Sequence, residues 1–136
     1  LTSHKSYFFT DQAVICIGSG IHGQKEYEVR TSIEQKLKKG EITVVKQGKA
    51  RLIYHDHMAY YLLNGDSLEM ESGETNGNWR RVALVNSDTL VKKDVFKLWI
   101  NHGHSPKKSS YSYIVFPDLA ENNWQEANKK STNIHL

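Results

Sequence analysis

The chain has 136 residues, 38% of them hydrophobic, and a formal net charge of +3. That length fits about one domain burying roughly two-thirds of its unfolded surface, and the negative mean hydropathy indicates a soluble protein. No apolar run approaches the ~20 residues of a bilayer span, no charged-then-apolar leader opens the chain, and no aromatic-and-basic module or groove-reading helix is visible, so neither a membrane nor nucleic acid is expected as a partner.

Residues 5–36 read as three consecutive strands. KSYFFTD is aromatic. The apolar run AVICIGSGI places Ala13, Ile15 and Ile17 on one side and Val14 and Cys16 on the other, so it is expected to be dry on both faces. In YEVRTSIEQK, Tyr27, Val29, Thr31 and Ile33 alternate with Glu28, Arg30, Ser32 and Glu34, the period of a strand with one dry and one wet face. Lys38-Lys39-Gly40 then turns the chain into ITVV at 42–45, and Gln47-Gly48-Lys49 turns it into ARLIYHDHM, with AYYLL close behind. Asn64-Gly65 predicts a hairpin linking YYLL to SLEME, since both residues tolerate positive φ. GETNGN at 73–78 reads as a polar loop before the strand RVALV.

VFKLWI sets Phe96, Leu98 and Ile100 against Val95, Lys97 and Trp99; 101–108 reads as a loop and YSYIVF as the last strand. Residues 118–130 alone look helical, through Leu119, Asn123 and Ala127. Many short strands with frequent turns predict an all-β fold: an antiparallel β-sandwich, a segment of a larger super-sandwich, with one short helix near the C-terminus. Residues 1–136 read as a single domain or a fragment of one. The start at Leu1 and the strand-like Ile134-His135-Leu136 suggest a segment cut from a longer protein.

Several side chains invite a chemical reading. His55-Asp56-His57 and His102-Gly103-His104 each place two imidazoles at a spacing that shares one face of a strand, a metal-ligand geometry. No carboxylate or cysteine is spaced to complete a site and no acidic loop has calcium-ligand spacing, so capping or surface histidines are expected, with no metal and no cofactor. Cys16, mid-strand, reads as a packed small hydrophobe. The strand tyrosines (7, 54, 60, 61, 111 and 113) read as core or cross-strand packing. Glu69 and Glu71 share one polar strand face, which explains them without a glycosidase carboxylate pair. Gly18-Ser19-Gly20 is too short for a phosphate loop. Most of the paired basic residues, which include Lys92-Lys93, flank predicted turns, where solvated charge is the default. Asn76, Trp79, Arg80 and Arg81 form the one loop with a functional reading: an indole stacks on a sugar ring, and guanidinium forks pair with carboxylate or sulfate.

Three blocks in order carry a resemblance: residues 5–36; YLLNGDSLEMESGETNGNWRRVA at 61–83, with Gly77-Asn78-Trp79; and VFKLWINHGHSPKKSSYSYIVFP at 95–117. Together they resemble the central β-sandwich of the bacterial polysaccharide lyases that act on chondroitin, hyaluronan and xanthan, with KSYFF and Tyr111-Ser112-Tyr113 nearer the chondroitinase and hyaluronate lyase branches.

That resemblance implies β-elimination next to a uronic acid by a parent enzyme, with chondroitin sulfate and hyaluronan as partners. Abstraction of the proton α to a carboxylate needs electrophilic stabilisation and a placed base. In the family an Asn, a His/Tyr pair and an Arg serve on a separate helical domain, and no residue here matches those motifs. The resemblance therefore implies an architectural segment with no catalytic residues, inert alone, backing the helical domain and lining the substrate cleft, in a secreted or periplasmic bacterial enzyme. A stand-alone acidic-glycan-binding module using Trp79, Arg80 and Arg81 is the alternative.

Overall fold

A computed structural model describes residues 1–24, 26–77, 91–120 and 123. Nine strands run through them: β1 (Thr2–Phe9), β2 (Val14–His22), β3 (Glu28–Leu37), β4 (Thr43–Gln47), β5 (Ala50–His55), β6 (Met58–Leu62), β7 (Leu68–Gly77), β8 (Val91–His104) and β9 (Ser109–Phe116). They form a six-stranded sheet in the order β1-β2-β9-β6-β5-β4 and a three-stranded sheet in the order β3-β8-β7. Every pairing is antiparallel. The expected all-β antiparallel sandwich is the fold of the described residues. At the start of the expected helix, Asp118 has φ 55° and the Leu119 N–H donates to the His57 carbonyl at 2.7 Å. The rest of that helix beyond 120, Asn123 excepted, lies outside the described residues, as do the RVALV strand and Ile134-His135-Leu136.

Two apolar layers explain the strand sequences. Between the sheets lie Cys16, Ile53, Tyr60, Leu62, Phe96, Leu98 and Ile100, with Tyr111 and Tyr113. On the other face of the six-stranded sheet, Ala13, Leu52, Tyr54, Ala59, Tyr61, Ile114 and Phe116 form a second buried cluster. Strands β2, β5, β6 and β9 feed both layers and so read as continuous apolar runs rather than alternating ones. Along the run that leads into β2, Val14 and Cys16 face one layer and Ala13 and Ile15 the other, as expected. Strand β8 keeps its alternation, with Phe96, Leu98 and Ile100 buried.

In β3 the alternation breaks. Ser32 pairs with Trp99 and Glu34 with Leu98, so Ile33 is an extra residue, a β-bulge. The bulge turns Glu34 from the expected wet face to the inner one, where its Oε2 accepts the Tyr60 hydroxyl at 2.7 Å. Lys36 follows it inward and pairs with Asp56 at 3.2 Å. Burial, then the bond to Glu34, pushes the Tyr60 phenol far above its ordinary pKa, so it stays a donor. Tyr60→Phe leaves the half-buried carboxylate short of a donor and is expected to cost about 2 kcal/mol in urea denaturation. An unchanged midpoint would show that the bond contributes nothing.

Four local expectations are corrected. The 50–58 run is not one strand: Asp56 and His57 both have positive φ (47° and 65°), forming the two-residue turn between β5 and β6. Asn64-Gly65 is not a hairpin but the crossover from the six-stranded to the three-stranded sheet, because β6 and β7 never pair. Glycine is needed there for space, since a Cβ at 65 would lie 2.2 Å from Arg51 Cγ. Residues 73–77 are strand, paired with β8 from Val91 to Val95. Residues 74–76 and 92–94 are exposed on both faces, so no alternation marks them. The expected loop at 101–108 shrinks to 105–108, because β8 continues to His104 opposite Glu28.

Candidate functional site

Of the four sequence candidates, only Asn76 falls within the described residues. It is exposed near the end of β7, opposite Lys92. Trp79, Arg80 and Arg81 lie outside the described residues. Close to Asn76, Lys92 is 3.7 Å from Glu74, and Asp94 follows Lys93, so acidic groups accompany the cations at this end of the β7–β8 ladder.

The sequence missed a cation–aromatic pair on the outer face of the three-stranded sheet. The Arg30 guanidinium lies 4.9 Å from the Trp99 ring centroid. The Trp99 indole N–H donates to Glu69 Oε2 at 2.8 Å, and the Asn101 amide donates to Glu69 Oε1 at 2.9 Å. Arg30 also donates to Glu28 at 2.8 Å, a bond that holds the Glu28 carboxyl below its usual range. The signal was present in the alternation, which puts Arg30 and Trp99 on the wet sides of β3 and β8. Their adjacency depends on the register of two strands far apart in sequence. Glu69 pairs across the ladder with Trp99, and Glu71 meets Lys97 at 3.6 Å, so the solvated-face reading of these carboxylates holds. A polyanion approaching Arg30 meets three carboxylates, which makes this face a poor receptor for one.

The histidine pairs separate. His55 is fully buried, its ring 4.6 Å from Phe96 and its Nε2 accepting the Lys39 N–H at 3.0 Å. His57 donates through Nδ1 to the Leu119 carbonyl at 3.0 Å, and Leu119 packs on the opposite face of the six-stranded sheet. His102 lies 2.7 Å from Thr31 Oγ1 through Nε2 and 2.7 Å from Ser109 Oγ through Nδ1. It thereby joins the two sheets, and burial lowers its pKa and favours the neutral ring. Among the described residues no three His, Cys, Asp or Glu side chains gather to hold a metal ion. Cys16 is buried opposite Tyr113, and burial pushes its thiol up, as suits a packing residue. Five of the six strand tyrosines are buried; Tyr7, on β1, is 53% exposed.

Known proteins place this fold. The model of polysaccharide lyase family 8, super-sandwich domain, matches residues 1–128, and the chain belongs to that family. Chondroitinase-AC of Pedobacter heparinus is 33% identical over 131 residues, covering 88% of this chain and 19% of the relative. Hyaluronate lyase HylB of Enterococcus faecalis is 24% identical over 151 residues, covering 97% of this chain and 15% of the relative. A solved chondroitinase AC lyase, studied as enzyme–oligosaccharide complexes, superposes with a TM-score of 0.81 at 31% identity, covering 91% of this chain and 20% of that one. The chain thus spans about a fifth of the length of the chondroitinase it resembles, and it is a polysaccharide lyase super-sandwich segment.

Proposed function

We propose that this chain is the architectural part of a glycosaminoglycan lyase acting on chondroitin- or hyaluronan-type polymers outside the bacterial cytoplasm. The parent cleaves beside a uronic acid by β-elimination. In this reading the sandwich backs the helical catalytic domain, and the stretch holding Asn76, Trp79, Arg80 and Arg81 contributes to one wall of the substrate cleft. The observation that carries the architectural role is strand β1. It sits at the edge of the six-stranded sheet with no partner on its outer side among the described residues. Its Tyr7, Phe8 and Phe9 are 53%, 54% and 79% exposed. An open edge bearing three exposed aromatics is a liability on a free domain and a natural seat for the rest of a larger enzyme.

Calorimetric titration with chondroitin sulfate oligosaccharides tests this. The expectation is no affinity in the micromolar range, with Trp79→Ala changing only thermal stability. Micromolar binding that Trp79→Ala abolishes at unchanged Tm would instead establish an acidic-glycan-binding module.

A further inference from the structure

Strand β2 changes register at the motif Gly18-Ser19-Gly20. Gly18 pairs with Tyr111 and Ile21 with Ser109, three steps on β2 for two on β9. On its other side, Ser19 pairs with His4 and His22 with Thr2, the same one-residue excess. This bulge interrupts the ladder on both sides at one end of the sandwich, and bulges recur beside binding sites because they re-aim side chains. A cleft of about 510 Å³ opens there, between β2, the β6–β7 crossover, β8 and β9. Its size falls within the range of small-ligand sites.

The lining is polar and uncharged: Ser19, Ser67, Ser109, Ser110, Tyr111 and Ser112 line it with Asn64, Asn101 and His102, and Ile17, Leu63 and Ile100 add apolar residues. No charged side chain is among the described lining residues, although charged residues make up 24% of the chain. The wall is built in advance. His102 ties β3 to β9 through Thr31 and Ser109, and the Asn101 N–H donates to the Ser67 carbonyl at 2.8 Å. Asn101 spends its amide on Glu69 and on the Gly103 N–H. Ser19, Ser67 and Ser110 are exposed, so their hydroxyls are open to a ligand.

We infer that this cleft is a binding site for an uncharged pyranose unit, such as the N-acetylhexosamine of a glycosaminoglycan chain. Neutral hydroxyls exchange donor and acceptor roles with sugar hydroxyls, and the exposed Leu63 offers an apolar surface to the sugar C–H face. A carboxylate or sulfate gains no counter-charge there and pays desolvation. The choice of sugar rests on the lyase reading above; the preference for an uncharged, hydroxyl-rich ligand does not.

The test is an amide-shift titration of the ¹⁵N-labelled chain with N-acetylgalactosamine, N-acetylglucosamine and glucuronic acid in parallel. Saturable shifts at Ser67, Asn101, Ser110, Tyr111 and Ser112 are expected with the neutral sugars, with a dissociation constant on the order of 1 mM. Ser67→Leu and Ser110→Leu, both at exposed positions, should each weaken binding roughly tenfold. Gln35→Leu, on the other face of the three-stranded sheet, should leave it unchanged. The inference is overturned by an absence of saturable shifts up to roughly 100 mM sugar, by shifts mapping elsewhere, or by equal binding of glucuronic acid. Those outcomes leave the lyase reading standing; conversely, neutral-sugar binding here survives if the chain proves not to serve a lyase.

Discussion

Gly18→Ala is expected to destabilise the chain by about 3 kcal/mol, lowering Tm by about 10 °C. Gly18 is buried in β2 directly opposite Tyr111. A Cβ at that position would lie 2.0 Å from Tyr111 Cε1 and 2.4 Å from Cζ, within the ring's own volume. The ring has little freedom to yield, because it stacks on Tyr113 at 5.8 Å and meets His102 at 5.9 Å. The strain belongs to the pair, so the two substitutions should be strongly non-additive. In a Tyr111→Ala background, Gly18→Ala should cost less than about 1 kcal/mol. If Gly18→Ala alone changes stability by less than about 0.5 kcal/mol, the ring does not lie across the glycine.

His55 should make the fold acid-sensitive well above the carboxylate range. It is fully buried, its Nε2 accepts the Lys39 N–H, and its Nδ1 has no partner. A second proton would go on Nε2 and break the one hydrogen bond the ring makes. Burial lowers its pKa and nearby Lys36 lowers it further, while Asp56 and Glu34 oppose and Lys38 adds to the fall. A depressed histidine pKa means that the unfolded chain binds the proton more readily. Stability is therefore full above the ordinary histidine value of about 6.5 and declines as pH falls below it. His102, also lowered by burial, acts in the same window. Glu28 and Asp56, lowered chiefly by bonds to Arg30 and Lys36, act only at lower pH. His55→Leu should cost about 2 kcal/mol at neutral pH, because the Lys39 amide loses its acceptor. The same variant should flatten, without abolishing, the slope of stability between about pH 5 and 6.5. Urea denaturation across that range checks both, and an unchanged slope would show that His55 does not titrate with folding.

The strands were legible wherever burial imposes a period. The wet-dry alternation of 28–33 and the apolar run of β2 were visible because each residue's face follows from its place in the strand, whereas Tyr27, expected on the dry face, precedes β3 and is 68% exposed. The bulge at Ile33 was not visible, because one inserted residue flips the faces of Glu34 and Lys36 while leaving a plausible alternating string. Asn64-Gly65 misled for a related reason: the dipeptide permits a turn, but which sheet the next strand joins depends on distant partners. The His55–His57 pair reads as a strand face only while Asp56 and His57 are taken as extended, and both adopt positive φ instead. The Arg30–Trp99 contact and the uncharged cleft depend on pairings between β2, β3, β8 and β9, up to about a hundred residues apart in sequence, which no local motif encodes.

The architectural assignment is tested most directly by incubating the purified 136-residue chain with chondroitin sulfate and hyaluronan while following the ultraviolet absorbance of unsaturated uronate. The account predicts no product from this chain alone. Steady product formation would place a complete elimination site within these residues and contradict the assignment of catalysis to the remainder of the parent enzyme.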